Sequence, residues 1–162
     1  MIKTVFIVTL MISFLALPVM GQEAKKVKIT DLEKIIVESN TPLIINFWAT
    51  FCKPCIEEIP YFQKLQGKYE KEGLQVLFVS LDLQDDYPEK VNSFIKKRKM
   101  SSCWLDETNA DYFCPRIDPA WTGAIPATLF INKQANYRKL IEESLSEESL
   151  EKQIGILLNK TN

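Results

Sequence analysis

Two cysteines separated by two residues form the most reactive pair in the sequence. Cys52 and Cys55 enclose Lys53 and Pro54 in a C-x-P-C motif. Cysteines at this spacing supply half of a zinc site or form a reversible disulfide. The residue types alone therefore indicate either metal binding or thiol–disulfide exchange.

The position of the pair favours redox chemistry. Leu43–Trp48 is a short, apolar, β-branched run typical of a central strand. Pro54 suits the first turn of a helix that follows. The N-terminus of a helix stabilises a thiolate, and the Lys53 cation adds to this effect. We expect Cys52 to be the exposed nucleophile and Cys55 to resolve the mixed disulfide.

The composition excludes several other function classes. The chain has 162 residues, the length of one domain, and no histidine. Ser-His-Asp catalysis, Cys-His catalysis and His-ligated metal sites are therefore excluded. Lys and Arg number 20 and Asp and Glu number 21, so the charge balance argues against a nucleic-acid partner.

Residues 1–21 have the pattern of a secretory signal. Lys3 precedes an apolar run over residues 5–17, and a small residue, Gly21, stands before the expected cleavage point. Cleavage would leave residues 22–162 as the exported, periplasmic domain. An uncleaved membrane anchor is the alternative, although the run is shorter than the roughly 20 residues that span a bilayer. Export places the cysteines in an oxidising compartment.

The remaining sequence predicts alternating strands and helices. Strands are expected at residues 25–29, 43–48, 75–83 and 102–105, a hairpin at 126–141, and helices at 30–38, 53–73, 88–98 and 147–158. Residues 106–123 are expected to be irregular, with one possible helical turn. This order indicates an α/β fold, in which a mixed central sheet is flanked by helices on both faces.

A second pair of cysteines lies outside the C-x-P-C motif. Cys103 and Cys114 could form a structural disulfide if their α-carbons approach within about 7 Å. They could also be two buried free thiols, or join the first pair at a metal. We take the disulfide as the leading candidate, because the compartment is oxidising.

The motifs together resemble the thioredoxin superfamily. The string FWATFCKPC at residues 47–55, followed by Glu58 and Pro60, pairs with GAIPAT at residues 123–128. Within the superfamily, the sequence is most similar to exported TlpA/ResA-like thiol-disulfide oxidoreductases over about residues 25–158. The resemblance implies a thioredoxin-like fold with a redox-active disulfide and no cofactor or metal.

The resemblance also implies roles for residues around the cysteines. Ile125-Pro126 would be a cis peptide bond beside Cys52 that presents the Ile125 backbone to substrate, and Ile at this position resembles reducing members. Glu58 would accept or supply the proton that Cys55 exchanges. Glu58 lies about 300° around the helix from Cys55, which brings it back beside that cysteine. The alternative for Glu58 is an ordinary solvent-facing helix charge.

Four further residues near the motif are candidates for substrate contact. Phe51 stands where the family usually has Trp, which keeps an aromatic wall but loses the indole N–H. Lys53 and Pro54 lie between the two cysteines. Trp48, at the end of the strand, is the fourth candidate. A packing role is favoured for Trp48 and also for Trp121, although Trp121 lies close enough to Pro126 in sequence to border the groove.

The leading functional hypothesis is an exported, monomeric oxidoreductase that reduces protein disulfides, in cytochrome c maturation or disulfide repair. Its partners would be protein thiols or disulfides and a membrane or exported electron donor. The alternatives are a disulfide oxidant or isomerase of the same fold, a thiol peroxidase, and a non-catalytic metal- or partner-binding module. The peroxidase pattern P-x-x-x-T-x-x-C fails, because Ile45 and Ala49 occupy the Pro and Thr positions.

Overall fold

The structure, a computed structural model, describes residues 23–160, which form one mixed sheet of six strands in the order β1-β4-β3-β2-β5-β6. The strands β1, β4, β3 and β2 are parallel, whereas β5 is antiparallel to both β2 and β6. The strands are β1 (Lys25–Val27), β2 (Leu43–Trp48), β3 (Gln75–Ser80), β4 (Ser102–Leu105), β5 (Ala127–Asn132) and β6 (Tyr137–Ile141).

Five α-helices cover the two faces of the sheet. They are α1 (Ile29–Glu38), α2 (Lys53–Lys68), α3 (Glu89–Arg98), α4 (Ala110–Ile117) and α5 (Glu147–Leu157). The apolar residues of α2, α3 and α5 join one core cluster, and those of α1 and α4 join the other. The expected α/β architecture, with a mixed sheet between two helical layers, is confirmed.

The central strand β2 leads directly to the cysteine pair. All six of its residues are buried. Ile44 and Trp48 pack towards α2, α3 and α5, while Ile45 and Phe47 pack towards α1 and α4. Burial on both faces explains the unbroken apolar run, because successive side chains of a strand point to opposite faces.

Two helix boundaries differ from the sequence-based expectation. Helix α1 begins after Lys28 rather than Thr30, because the Asp31 carboxylate accepts a hydrogen bond from the Lys28 N–H at 2.8 Å. Helix α2 passes through Pro60 and ends at Lys68. Gly73, with φ of 75°, ends a separate 3₁₀ turn, Glu70–Glu72.

The region expected to be irregular contains helix α4. Its apolar side chains, among them Phe113, Cys114 and Ile117, are buried in the core cluster that α1 shares. Tertiary packing of this short amphipathic stretch stabilises two turns of helix that local propensity does not predict.

The expected signal or anchor, residues 1–21, lies outside the described residues. Within residues 23–160, no helix is both long enough and apolar enough to span a membrane.

Candidate active site

Cys52 and Cys55 form a disulfide where β2 gives way to α2. Their α-carbons are 5.3 Å apart. Cys52 is the N-cap residue of α2, and its Sγ accepts a hydrogen bond from the Cys55 N–H at 3.3 Å. Cys52 is 7% exposed, whereas Cys55 is fully buried. An incoming thiol or disulfide therefore reaches Cys52 first, and the amide at the helix N-terminus is placed to stabilise its thiolate.

The Ile125-Pro126 segment lies at the same end of the sheet. The peptide bond between these residues is cis. Because Ala127 pairs with Phe47, Pro126 stands beside the end of β2. Ile125 also lines a cavity of about 320 Å³ with Phe51, the residue before Cys52. The structure thus brings the Ile-Pro pair next to the cysteine turn.

The turn that presents Cys52 is fixed by a buried carboxylate. The Cys52 N–H donates to the Ala49 carbonyl at 3.1 Å, which closes a turn over residues 49–52. Asp82, 4% exposed, accepts hydrogen bonds from the Thr50 N–H at 3.0 Å, from the Thr50 hydroxyl and from the Ser80 hydroxyl. Asp82 therefore anchors the turn to the end of β3.

Asp82 was not singled out from the sequence, although a signal for it exists. Parallel strands have their carboxyl ends at the same edge of a sheet. Trp48 of β2 pairs with Ser80 of β3, so the residues two positions later, Thr50 and Asp82, face each other. A polar residue shortly after each of two neighbouring parallel strands would have indicated this contact.

Glu58 is 1% exposed and lies one helical turn beyond Cys55 in α2. One carboxylate oxygen accepts from Asn46 Nδ2 at 2.9 Å. The other accepts from the Leu145 N–H at 2.8 Å and from the Ser144 hydroxyl at 3.5 Å. Burial raises the pKa of Glu58, and these hydrogen bonds partly oppose the rise. The alternative of a solvent-facing helix charge is wrong.

Asn46 is fully buried between Glu58 and Thr128. Its Nδ2 donates to both, at 2.9 Å and 3.1 Å. Its Oδ1 has no hydrogen-bond partner among the described residues. Rotation of the amide by a half turn would direct Oδ1 to Glu58, so Asn46 can serve either an ionised or a protonated carboxyl.

The residues proposed for substrate contact occupy different positions. Phe51 is 60% exposed, and Lys53 and Pro54 are also exposed. The Lys53 ammonium lies 3.8 Å from Glu57, on the solvent side of the helix. These three exposed side chains adjoin Cys52 in the chain.

Trp48 is fully buried, so its assignment to substrate contact is wrong. Its indole N–H donates to the Ser102 hydroxyl at 3.1 Å, and its ring packs against Phe94 at 4.8 Å between centroids. Trp121 is also a packing residue: its ring lies 4.4 Å from that of Phe47. Both rings therefore belong to the packed core around the site and not to its exposed surface.

The structural disulfide between Cys103 and Cys114 is absent, and both are free thiols. The formation of helix α4 explains this, because the helix directs Cys114 towards the loop that precedes the Ile-Pro pair. Its Sγ lies 3.6 Å from where a Cβ on Gly123 would stand. Burial, with Glu142 and Asp111 nearby, raises the pKa of Cys114 to about 11. Burial also raises the pKa of Cys103.

No three or more His, Cys, Asp or Glu side chains of residues 23–160 are grouped so that they could hold a metal ion. The reactive groups that the site brings together are the Cys52–Cys55 pair and, one turn further along α2, the buried Glu58 carboxyl.

Comparisons with known proteins agree with this geometry. Thiol-disulfide oxidoreductase ResA of Bacillus cereus (strain ZK / E33L) is 29% identical over 141 residues, covering 85% of this chain and 76% of that protein. ResA of Halalkalibacterium halodurans is 26% identical over 136 residues, covering 81% of this chain and 73% of that protein.

Solved structures share the fold. A thioredoxin-family thiol:disulfide interchange protein from Chlorobium tepidum TLS superposes with a TM-score of 0.59 at 20% identity, covering 74% of this chain and 81% of that one. StoA from Bacillus subtilis has a TM-score of 0.54 at 21% identity, covering 72% of this chain and 84% of that one.

A family comparison matches residues 13–139 to the AhpC/TSA family. This match spans most of the chain, including the C-x-P-C motif and the Ile-Pro pair. The chain therefore belongs to the AhpC/TSA family and has the C-x-x-C disulfide of a thioredoxin-like thiol-disulfide oxidoreductase.

Proposed function

We propose that the protein is an exported reductase of protein disulfides in which Cys52 attacks, Cys55 resolves and Glu58 handles the proton. The observation that carries the proposal is the asymmetry of the pair. Cys52 is partly accessible, at 7% exposure, with an amide donor on its sulfur, whereas Cys55 is fully buried one turn from Glu58.

The reaction begins with the reduced pair. The Cys52 thiolate attacks a substrate disulfide, a mixed disulfide forms, and one substrate thiolate leaves. The Cys55 thiol then transfers its proton to the Glu58 carboxylate. The Cys55 thiolate attacks Cys52 Sγ, the Cys52–Cys55 disulfide forms, and the second substrate thiolate leaves. Two electrons pass from the pair to the substrate, and a dithiol donor must restore them.

The environment of Glu58 suits this proton step. A carboxyl with a raised pKa holds a proton at higher pH than an exposed one does, so its ionised form is a stronger base towards the Cys55 thiol. The Asn46 amide can hydrogen-bond either protonation state of the carboxyl. Asn46 occupies the strand position at which the resemblance to thioredoxins would place an Asp.

The substrate would dock around Cys52. Phe51, Lys53 and Pro54 would contact the polypeptide next to its cysteine, and the backbone of Ile125, before Pro126, would pair with it as an added strand. The Ile125 backbone would supply the hydrogen bonds to such a strand.

The setting is inferred from the sequence and from the relatives. Residues 1–21 would act as a signal or anchor, and residues 22–162 would form the thioredoxin-like domain in the periplasm. The relatives named ResA are thiol-disulfide oxidoreductases. The protein would act as a monomer, receive electrons from a membrane or exported donor, and serve cytochrome c maturation or disulfide repair.

Trapping with Cys55→Ser tests the proposal. Without the resolving thiol, Cys52 should remain in mixed disulfides with exported proteins, which appear as adducts on non-reducing gels. The control is Cys52→Ser, which should form none. The proposal is wrong if Cys55→Ser yields no adduct, or if adducts form equally with Cys52→Ser.

A further inference from the structure

Glu58 must exchange its proton with water, yet almost none of its surface reaches solvent. Through Asn46 the carboxyl connects only to Thr128, which is also fully buried. Ser144 is the single exposed residue that hydrogen-bonds this carboxyl in the described part of the chain. A route to water is therefore present on the side of the loop between β6 and α5.

This β6–α5 loop, residues 142–146, is held in place where it leads into α5. The Leu145 side chain is buried in the core beside α2 and α5. Ser146 caps α5 by accepting a hydrogen bond from the Ser149 N–H at 3.1 Å. The Leu145 N–H and the Ser144 hydroxyl are consequently presented to Glu58 together.

The outer side of the loop borders a surface groove of about 800 Å³. Residues Lys139 to Ser146 and part of α5, including Ser149, line it. Water in this groove reaches the Ser144 hydroxyl, which is 3.5 Å from the Glu58 carboxylate. A hydroxyl both donates and accepts, so it can pass a proton between the carboxyl and water.

We infer that the β6–α5 loop, through Ser144 and Leu145, is the proton port of Glu58, connecting it to solvent in the groove beside β6 and α5. The inference rests on the proposed proton role of Glu58. It extends that role by naming the group through which the proton leaves the buried carboxyl.

The proton balance follows from the resolving step. The proton that Cys55 loses goes to the Glu58 carboxylate, and then through the Ser144 hydroxyl to water in the groove. The departing substrate thiolate takes its own proton from solvent. No further oxidant or reductant is required, because the two electrons stay within the disulfide exchange.

The groups that face the Glu58 carboxyl and influence its pKa are uncharged. The groups that face it are Cys55 from α2, Asn46 from β2 and the two loop residues, none of which is charged in the oxidised protein. No charged side chain of residues 23–160 contributes to its pKa, which burial raises and these hydrogen bonds lower. Within the loop, Glu142 instead accepts hydrogen bonds from Thr122.

The test is the pH profile of the resolving step. Reduced protein is mixed with 5,5′-dithiobis(2-nitrobenzoate), and release of the second thionitrobenzoate reports attack by Cys55. Ser144→Ala removes a hydrogen bond that favours the ionised carboxyl, so the inflection should move to higher pH. At a pH just below the inflection of this profile, the rate of release of the second thionitrobenzoate should fall about threefold. Ser144→Thr keeps the hydroxyl and should restore the wild-type profile.

Two comparisons separate the possible failures. Ser149→Ala removes a hydroxyl from the same groove without touching Glu58, so it should leave the profile unchanged. In a Glu58→Gln background, Ser144→Ala should have no effect. If Glu58→Gln alters the profile but Ser144→Ala does not, the port is wrong and the role of Glu58 stands. If Glu58→Gln itself leaves the profile unchanged, both the proposed proton role and the port are wrong.

Discussion

The contact between Thr50 and Asp82 makes a specific prediction about the turn that holds Cys52. Thr50→Val keeps the shape of the side chain but removes the hydroxyl that donates to the buried Asp82 carboxylate. Since Asp82 is only 4% exposed, water has little access to replace that donor. A hydrogen bond to a charged group contributes about 1.5–3 kcal/mol. We expect the free energy of unfolding to fall by that amount.

The size of the domain converts this free energy into a melting temperature. For a domain of this length, each kcal/mol shifts Tm by roughly 3 °C, so Thr50→Val should melt about 5–9 °C below wild type. Differential scanning calorimetry of the oxidised protein measures the shift. Reaction of the reduced variant with a disulfide at 25 °C should also be slower, because the turn that positions Cys52 is released.

A closely matched control exists elsewhere in the chain. Thr122 donates its N–H and its hydroxyl to Glu142, the same pairing of a threonine with a carboxylate, but at an exposed site. Thr122→Val should change the stability by less than about 0.5 kcal/mol, because water replaces the lost partner. Equal Tm values for the two variants would refute the reasoning that burial makes the Asp82 contact strong.

Three further predictions concern stability and thiol count. Because burial raises the pKa of Glu58 in the folded state, the stability that this group contributes is present below its pKa in the unfolded chain and is lost as pH rises through its pKa in the folded protein. Urea titrations should therefore show this decline in the wild type and not in Glu58→Gln. An equal decline in both proteins would contradict the prediction. Denatured, oxidised protein should show two thiols, Cys103 and Cys114; none would indicate a disulfide between them. Gly123→Ala should lower stability by about 1–2 kcal/mol, because its φ is 93°, whereas Gly67→Ala, within α2, should not lower it.

The parts of the fold that follow from sequence are those governed by local pattern. Strands β2 and β4 have the predicted bounds. For β2 the reason is that burial on both faces produces a nearly continuous apolar run. The position of the C-x-P-C motif at a strand–helix junction also follows, because an apolar run precedes it and Pro54 suits the first turn of a helix.

The parts that the sequence did not reveal depend on contacts between distant residues. Helix α4 forms because its apolar face packs in the core next to α1. The helix places the Cys114 thiol beside Gly123. The partners of the buried Trp48 ring, Phe94 and Ser102, also lie far along the chain, and local pattern does not identify them. The burial of Glu58 likewise requires a loop 87 residues away in the chain.

The reduction potential of the Cys52–Cys55 couple tests the proposed direction of reaction most directly. Potentials of thioredoxin-like proteins span about −270 to −120 mV, a difference of about 7 kcal/mol for two electrons. Equilibration with dithiothreitol and glutathione buffers, read by alkylation and mass spectrometry, measures it. The proposed reductase predicts a value near −270 mV. A value near −120 mV would contradict it and identify the protein as an oxidant.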